Sequence, residues 1–462
     1  MFEKLANIFR VPDLRKRILF TLGLLAVYRL GGHIPTPGVN ADKLQQFFEQ
    51  NRGTFLGFVD LFSGGQLRRL TIFALGIMPY ITASIILQLL TVVYEPLAKL
   101  QKEGELGRKK ITQWTRYLTV LLSAVQSLGI ALSLMKSGDF VVNPGPGFVL
   151  MTMLTLTTGS AFIMWLGEQI TERGVGNGMS LLIFAGIVVG LPRGVADLID
   201  KIRTDAWGSF TAPAVILLVG LMILVVAFIV YVERSERRIP VQYAKRVVGR
   251  KVMGGQSTHL PLRVNAGGVM PVIFASSILT LPQTVGYGLR DNRYFGSLIH
   301  ALAWGEPLYT LLYALGIIFF AYFYVSIVFN PNEVADNMRK YGGFIPGIRP
   351  GKRTADTINE ILTRITLVGA LYLIIISFIP EWMIAGIHLN HLPGALGAWF
   401  ERLPNWMTNG LGVTFYFGGT SLLIVVGVAM DTVTQIEAQL IMRHYDGFTP
   451  RSGRIRGRRT WS

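Results

Sequence analysis

The run IFALGIMPYITASIILQLLTVV, residues 72 to 93, holds 22 consecutive residues without one Asp, Glu, Lys or Arg. Crossing roughly 30 Å of hydrocarbon takes about 20 helical residues, so this stretch is long and apolar enough to span a bilayer. It reaches Tyr94, and nine more of the same kind flank it. These are Ile18 to Gly32, Tyr117 to Met135, Val149 to Gly167, Met179 to Leu191, Ala212 to Val232, Gly267 to Val285, Leu308 to Phe329, Ile365 to Ile379 and Val413 to Met430. Several are short or interrupted by Gly and Pro. They are continuous apolar runs, not alternations of apolar and polar positions, and lipid requires each backbone polar group to find its partner within the segment. The expected fold is an all-α polytopic membrane protein with ten transmembrane helices.

Composition points the same way. A chain of 462 residues with 51% apolar and 15% charged residues and a mean hydropathy of +0.45 has too little polar surface to face water all round. There is no cysteine, and the six histidines (His33, His259, His300, His388, His391 and His444) are scattered. His388 and His391 come nearest to a ligand pair but have no third ligand close in sequence, so no metal and no cofactor are expected.

Lys and Arg counts in alternate loops set the orientation. The N-terminus, every second loop and the tail together carry 32 basic residues, and the remaining loops carry 11. Both termini are therefore expected in the cytosol. The first segment, residues 1–17, is amphipathic and bears Lys4, Arg10, Arg15, Lys16 and Arg17; it reads as a retained cytosolic start. The net charge of +17 gathers on that face, where acidic lipid headgroups, ribosomal RNA or an acidic protein surface would be attracted.

Ten spans divide into five and five near Asp197 to Ser209. An odd number in each half places the halves in opposite orientations, which suits a central pathway between inverted units. The expected organisation is an N-terminal half over 18–200, an external hinge region over 201–211 and a C-terminal half over 212–430. A basic tail follows over 431–462, ending in Arg451, Arg454, Arg456, Arg458 and Arg459. The external stretch 386–410, with Trp399, Phe400 and Trp406, suits an aromatic-anchored segment at the outer interface.

The second, third, seventh, eighth and tenth spans have no ionisable residue in their interiors, whereas ion-coupled carriers need such groups at midplane. What the spans offer instead is branched aliphatics at helical spacing, in Gly76 to Ile81 and Met179 to Ile183. A ring of these would exclude water and ions when narrow and yield to an extended chain; for any single Ile, core packing is the alternative. The first loop, Phe58 to Leu67, is apolar yet too short to cross. It reads as a half-helix re-entering from outside, about residues 58–68, or as a turn at the interface. Two cytosolic loops exceed what a helix connection needs. Residues 233–264 carry Arg237, Arg238, Lys245, Arg246, Arg250 and Lys251, with a turn expected at Gly249. Residues 330–363 carry a GGFIPGIRPGKR tip from 342 to 353 that holds Arg349, Lys352 and Arg353. Both suggest docking sites. No GxxxxGK[ST] loop is present, so any energy source is external.

The runs FSGG (62–65), IFALGIMPYITASIILQLLTVV (72–93), EGELGRKKITQWTRYLT (103–119), WLGEQITERGVGNGMSLLIFAGIV (165–188), QSTHLPLRVNAGGVMPVIFASSI (256–278), FNPNEVADNMRKYGGFIPGIRPG (329–351) and FYFGGTSLLIVVGVAMD (415–431) resemble the SecY family. This family provides the channel subunit of the bacterial Sec translocon. The resemblance covers nearly the whole chain in order. It implies a clamshell of two five-helix halves around a pore in the plasma (inner) membrane, passing unfolded polypeptide outward and apolar segments sideways into lipid. It also implies an aliphatic pore ring of Ile77, Ile81, Met179, Ile183, Ile273 and Ile424, where Met179 departs from the usual Ile. The plug would comprise Val59, Asp60, Leu61, Phe62, Ser63, Gly64, Gly65, Gln66 and Leu67. The polar members of a lateral gate, between the second and third spans and the seventh and eighth, would be Thr82, Gln126 and Asn265. The implied partners are small SecE-like and SecG-like membrane subunits, a SecA motor or the ribosome at the basic loops, and unfolded preproteins with their signal sequences. The chain itself would not be an enzyme. A solute or ion transporter, or an insertase without a through-pore, is the competing reading of the residues.

Overall fold

The computed structural model describes residues 11–50, 60, 63–136, 140–204, 211–243, 246–248, 251–253, 257–286, 302, 306–385 and 419–446. The N-terminal ten residues, the external stretch 386–410 and the arginine-rich end of the tail lie outside these.

The described part of each apolar stretch lies wholly or partly on a helix. The helices in chain order are α1 (Pro12–Gly31), the short α2 (Ala41–Gln50), α3 (Met78–Val93), α4 (Glu95–Lys102), α5 (Glu105–Lys136), α6 (Pro146–Arg173), α7 (Gly178–Arg203) and α8 (Thr211–Arg234). The second half adds α9 (Met270–Gly286), α10 (Pro307–Val328), the short α11 (Pro331–Lys340), α12 (Lys352–Ala385) and α13 (Gly419–Asp446). Among the described residues, six helical segments are long and apolar enough to cross a membrane alone, or seven if α3 and α4, bent by 104° at their junction, count as one. The bend has a local cause: Glu95 precedes Pro96, whose ring disfavours continued helix, and α4 restarts with proline in its first turn.

Helix limits differ from the apolar runs where backbone and polarity disagree. The second run does not begin as helix at Ile72. Residues 72–77 form turns, with Leu70 at φ 41° and Gly76 at φ 58°, and α3 starts only at Met78. The reason is tertiary. The Ile72 N–H donates to the Ile34 carbonyl (3.0 Å), and the Ile72 carbonyl sits so close to Gly159 of α6 that a Cβ there would lie 1.8 Å from it. Conversely, α5 begins twelve residues before its apolar run, at Glu105. At 1.5 Å per residue its length is about 48 Å, well beyond the hydrocarbon thickness.

In the first half, α5 pairs with α3, α4 and α6, and α6 with α1 and α7; in the second, α10 packs on α9 and α12, and α13 on α8 and α12. The halves meet where α9 lies against α3 and α5, where α13 lies against α7 and, more lightly, where α8 lies against α7. The two long basic loops are not independent. Strands β1 (Glu236–Tyr243) and β4 (Ser257–Arg263) form an antiparallel hairpin, Glu236 opposite Arg263, and β5 (Gly343–Phe344) from the second loop joins the free edge of β1. Between them β2 (Arg246–Val248) and β3 (Lys251–Met253) pair with Val248 opposite Lys251. Gly249, where a turn was expected, lies outside the described residues. Ile239, Val241 and Leu262 of this sheet pack with Met338, Ile345 and Ile358 into a small core of their own, which fixes one loop on the other.

Candidate functional site

The six apolar side chains of the expected ring come from four elements and belong to one large apolar cluster of the bundle. Ile77 is the N-cap of α3 and Ile81 lies one turn on; Met179 and Ile183 stand four apart on α7; Ile273 comes from α9 and Ile424 from α13. The five isoleucines are at most 6% exposed, and Met179, half-buried, packs against the same cluster. Met179 is held from two sides. Its N–H donates to the Asn177 Oδ1 that caps α7 (3.1 Å), and its sulfur lies where a Cβ on Gly167 of α6 would be 2.4 Å away. Ile81, Met179, Ile183 and Ile273 also face a cavity of about 470 Å³ whose other wall is polar. There the Arg116 guanidinium donates to Glu168 at 2.8 Å, joining α5 to α6.

The C-terminal part of the expected plug packs against α7; Val59, Leu61 and Phe62 are outside the described residues. Asp60 begins a tied loop: its carbonyl accepts from the Ser63 hydroxyl (2.9 Å) and the Gly65 N–H (2.8 Å), and the Ser63 oxygen accepts from the Leu67 N–H (3.2 Å). Gly64 and Gly65 have φ of 72° and 79°, a left-handed conformation that costs residues with a Cβ. Gly64 presses on Gly186 of α7, where an added Cβ would come within 2.8 Å of the Gly186 Cα, while Arg29 of α1 donates to the Gly64 carbonyl (3.4 Å). Gln66 and Leu67 are buried. Neither the Gly64 and Gly186 contact nor the approach of Arg29 carries a local sequence signal.

Thr82, Gln126 and Asn265 are all buried. Thr82 Oγ1 donates to the Met78 carbonyl of its own helix (3.0 Å), and Asn265 donates to Glu233 at the end of α8 (2.6 Å) and to the Gly268 carbonyl (3.0 Å). No hydrogen bond among the described residues links the three to one another. The polar contact that does cross from α9 to α3 runs from the Ser277 hydroxyl to the Met78 sulfur at 3.7 Å. The sequence reading missed it because serine and methionine are unremarkable inside apolar runs.

In the strands of the first basic loop Arg237 and Arg238 are exposed on β1, Arg238 facing Glu236 at 3.9 Å; Arg246 and Lys251 lie on β2 and β3, and Lys245 and Arg250 fall outside the described residues. Arg349, Lys352 and Arg353 are exposed at a shaped tip. Gly347 and Gly351 take φ of 83° and 111°, and the Thr354 hydroxyl donates to the Arg349 carbonyl at 2.9 Å. Among the described residues no group of three potential metal ligands occurs.

A family model of SecY matches residues 71–433. The chain belongs to the SecY family. The protein translocase subunit SecY of Escherichia coli (strain K12) is 48% identical over 441 residues, 94% of this chain and 93% of that one. Two solved structures share the fold over 94% of both chains. One is a SecY protein whose plug domain stabilises the closed state of its translocation channel and maintains a membrane seal (17% identity, TM-score 0.63). The other is Sec61 in the canine ribosome-channel complex from the endoplasmic reticulum (17% identity, TM-score 0.59). As a member of this family the chain is a multi-pass membrane protein, a channel-forming translocase subunit and not an enzyme.

Proposed function

We propose that Ile77, Ile81, Met179, Ile183, Ile273 and Ile424 form the constriction of a protein-conducting channel. The segment from residue 58 to 68 is the plug seated above it, and unfolded secretory polypeptides pass through while apolar segments leave sideways between α3/α5 and α9/α10. The observation that carries this reading is the convergence on α7: Met179 and Ile183 join the apolar cluster while Gly186, one turn further, receives the plug at Gly64. An apolar ring binds nothing strongly and closes to ions by excluding water. The absence of ionisable residues within five of the spans disfavours an ion-coupled solute carrier. A ring and a plug together favour a through-pore over an insertase.

The basic sheet and the Arg349 tip are the docking face for a SecA-type motor or a ribosome, reached in the latter case through RNA phosphates. The loop bias in Lys and Arg puts both termini in the cytosol beside anionic lipid. Small subunits of the SecE and SecG type complete the assembly. The test is reconstitution with those subunits and a SecA motor in vesicles, followed by ATP-dependent protection of an unfolded secretory protein from added protease. Protection lost in Arg349→Glu supports the reading; no protection under any condition, alongside uptake of a small solute, overturns it.

A further inference from the structure

Within the plug segment the chain buries a pair of opposite charges. Asp60 is 7% exposed and Arg68 5% exposed. The Asp60 carboxylate accepts the Arg68 backbone N–H through Oδ1 at 3.0 Å and faces the Arg68 Nε through Oδ2 at 3.8 Å. Arg68 follows directly on Leu67, whose N–H bonds Ser63, so the two ends of the loop from 60 to 68 are joined by backbone, hydroxyl and charge at once. The guanidinium is folded back over the loop's tip: a Cβ on Gly65 would lie 2.9 Å from its Nη2. The pair therefore closes over the glycines whose backbone rests on Gly186 and receives Arg29.

An ion pair removed from water gains little over an apolar pair of similar size, but losing either partner leaves a buried charge uncompensated. It contributes geometry more than net stability: a carboxylate and a guanidinium must face one another, and here that requirement orients the tip.

Resting on the reading of residues 58–68 as the plug, we propose that Asp60 and Arg68 are positioning residues whose buried charge pair holds the plug tip against α7. The resting seal then depends on a carboxylate at 60, which accepts the Arg68 N–H, and on a cation at 68 facing it. The pair moves with the plug as one tied unit, so opening separates Gly64 from Gly186 and from Arg29 instead of unravelling the loop.

The experiment measures resting ion flux from vesicles containing the channel with its small subunits. Asp60→Asn, which keeps an oxygen for the Arg68 N–H, and Arg68→Met should each raise flux by about tenfold or more, whereas Arg68→Lys, which keeps the cation, should stay within about threefold of the parent. Parental flux in both neutral variants, or an Arg68→Lys variant as leaky as Arg68→Met, overturns the proposal. Deletion of residues 60–67 separates the two readings: a leaky deletion beside tight neutral variants removes only the charge pair, whereas a tight deletion removes the plug itself. Should a neutral variant fail to accumulate in the membrane, Arg68→Lys decides, since parental flux supports the pair and a leak like that of the deletion overturns it.

Discussion

Replacing Gly64 by alanine tests the seating of the plug at a single atom. The added Cβ meets the Gly186 Cα at 2.8 Å and its carbonyl oxygen at 2.9 Å, and both are main-chain atoms of α7 that cannot rotate away. Forcing a methyl into such a contact costs about 1–3 kcal/mol, and holding a residue with a Cβ in the left-handed region adds about 1–2 kcal/mol. Because the tied loop keeps its conformation when displaced, the backbone cost is carried by both states, and only the contact cost of about 1–3 kcal/mol falls on the seated one. That shifts the closing equilibrium by roughly five- to somewhat over a hundredfold. Gly65→Ala is the internal control. Its φ of 79° carries the same backbone cost, but its Cβ would meet only the end of the Arg68 side chain and no main-chain atom of α7. Its shift should then be the smaller of the two. The assay is resting ion conductance in planar bilayers, normalised to the number of channels. Gly64→Ala should leak more than Gly65→Ala and more than the parent. A Gly64→Ala channel no leakier than Gly65→Ala would refute the argument that the glycine contact on α7 seats the plug.

Ile183→Ala removes three carbons from a side chain that is 3% exposed within the central cluster. It should lower unfolding stability by about 2–4 kcal/mol and raise resting ion leak, with Ile183→Leu close to the parent in both; melting in detergent and vesicle flux check the two effects, and a destabilised but tight variant would remove Ile183 from the constriction. Ser277→Ala deletes the hydroxyl that reaches the Met78 sulfur across the seam. The loss is worth about 0.6 kcal/mol, so the lipid-inserted fraction of a marginally apolar test segment should rise about two- to threefold, with no change in resting leak; an unchanged fraction would show that this bond does not hold the seam.

The helices were legible in the sequence because lipid forces backbone pairing within each segment, so apolar length alone implies a helix. Ile183 and Ile273 could be placed on the right helices for the same reason. The start of α3 was not legible, since Ile72 to Ile77 is as apolar as Met78 to Val93 and becomes turns only because its backbone bonds Ile34 and wedges against Gly159. The family resemblance named Asn265 as a gate residue, but not the Glu233 and Gly268 groups that its amide bonds. Its partner lies 32 residues away, a distance that periodicity cannot read.

What the sequence determined by itself is the solvent, the class of fold and the side on which charge collects, because each follows from the summed free energy of transferring residues between water and lipid. What only the tertiary structure decided is which side chains share a point in space. The cluster around Ile424, the contact of Gly64 on Gly186, the closure of Asp60 on Arg68 and the joining of the two basic loops through β1 and β5 all bring together residues distant in sequence or choose among chemically similar ones. Such contacts are fixed by packing between whole helices and strands, and no local pattern of residues encodes which neighbour each will meet.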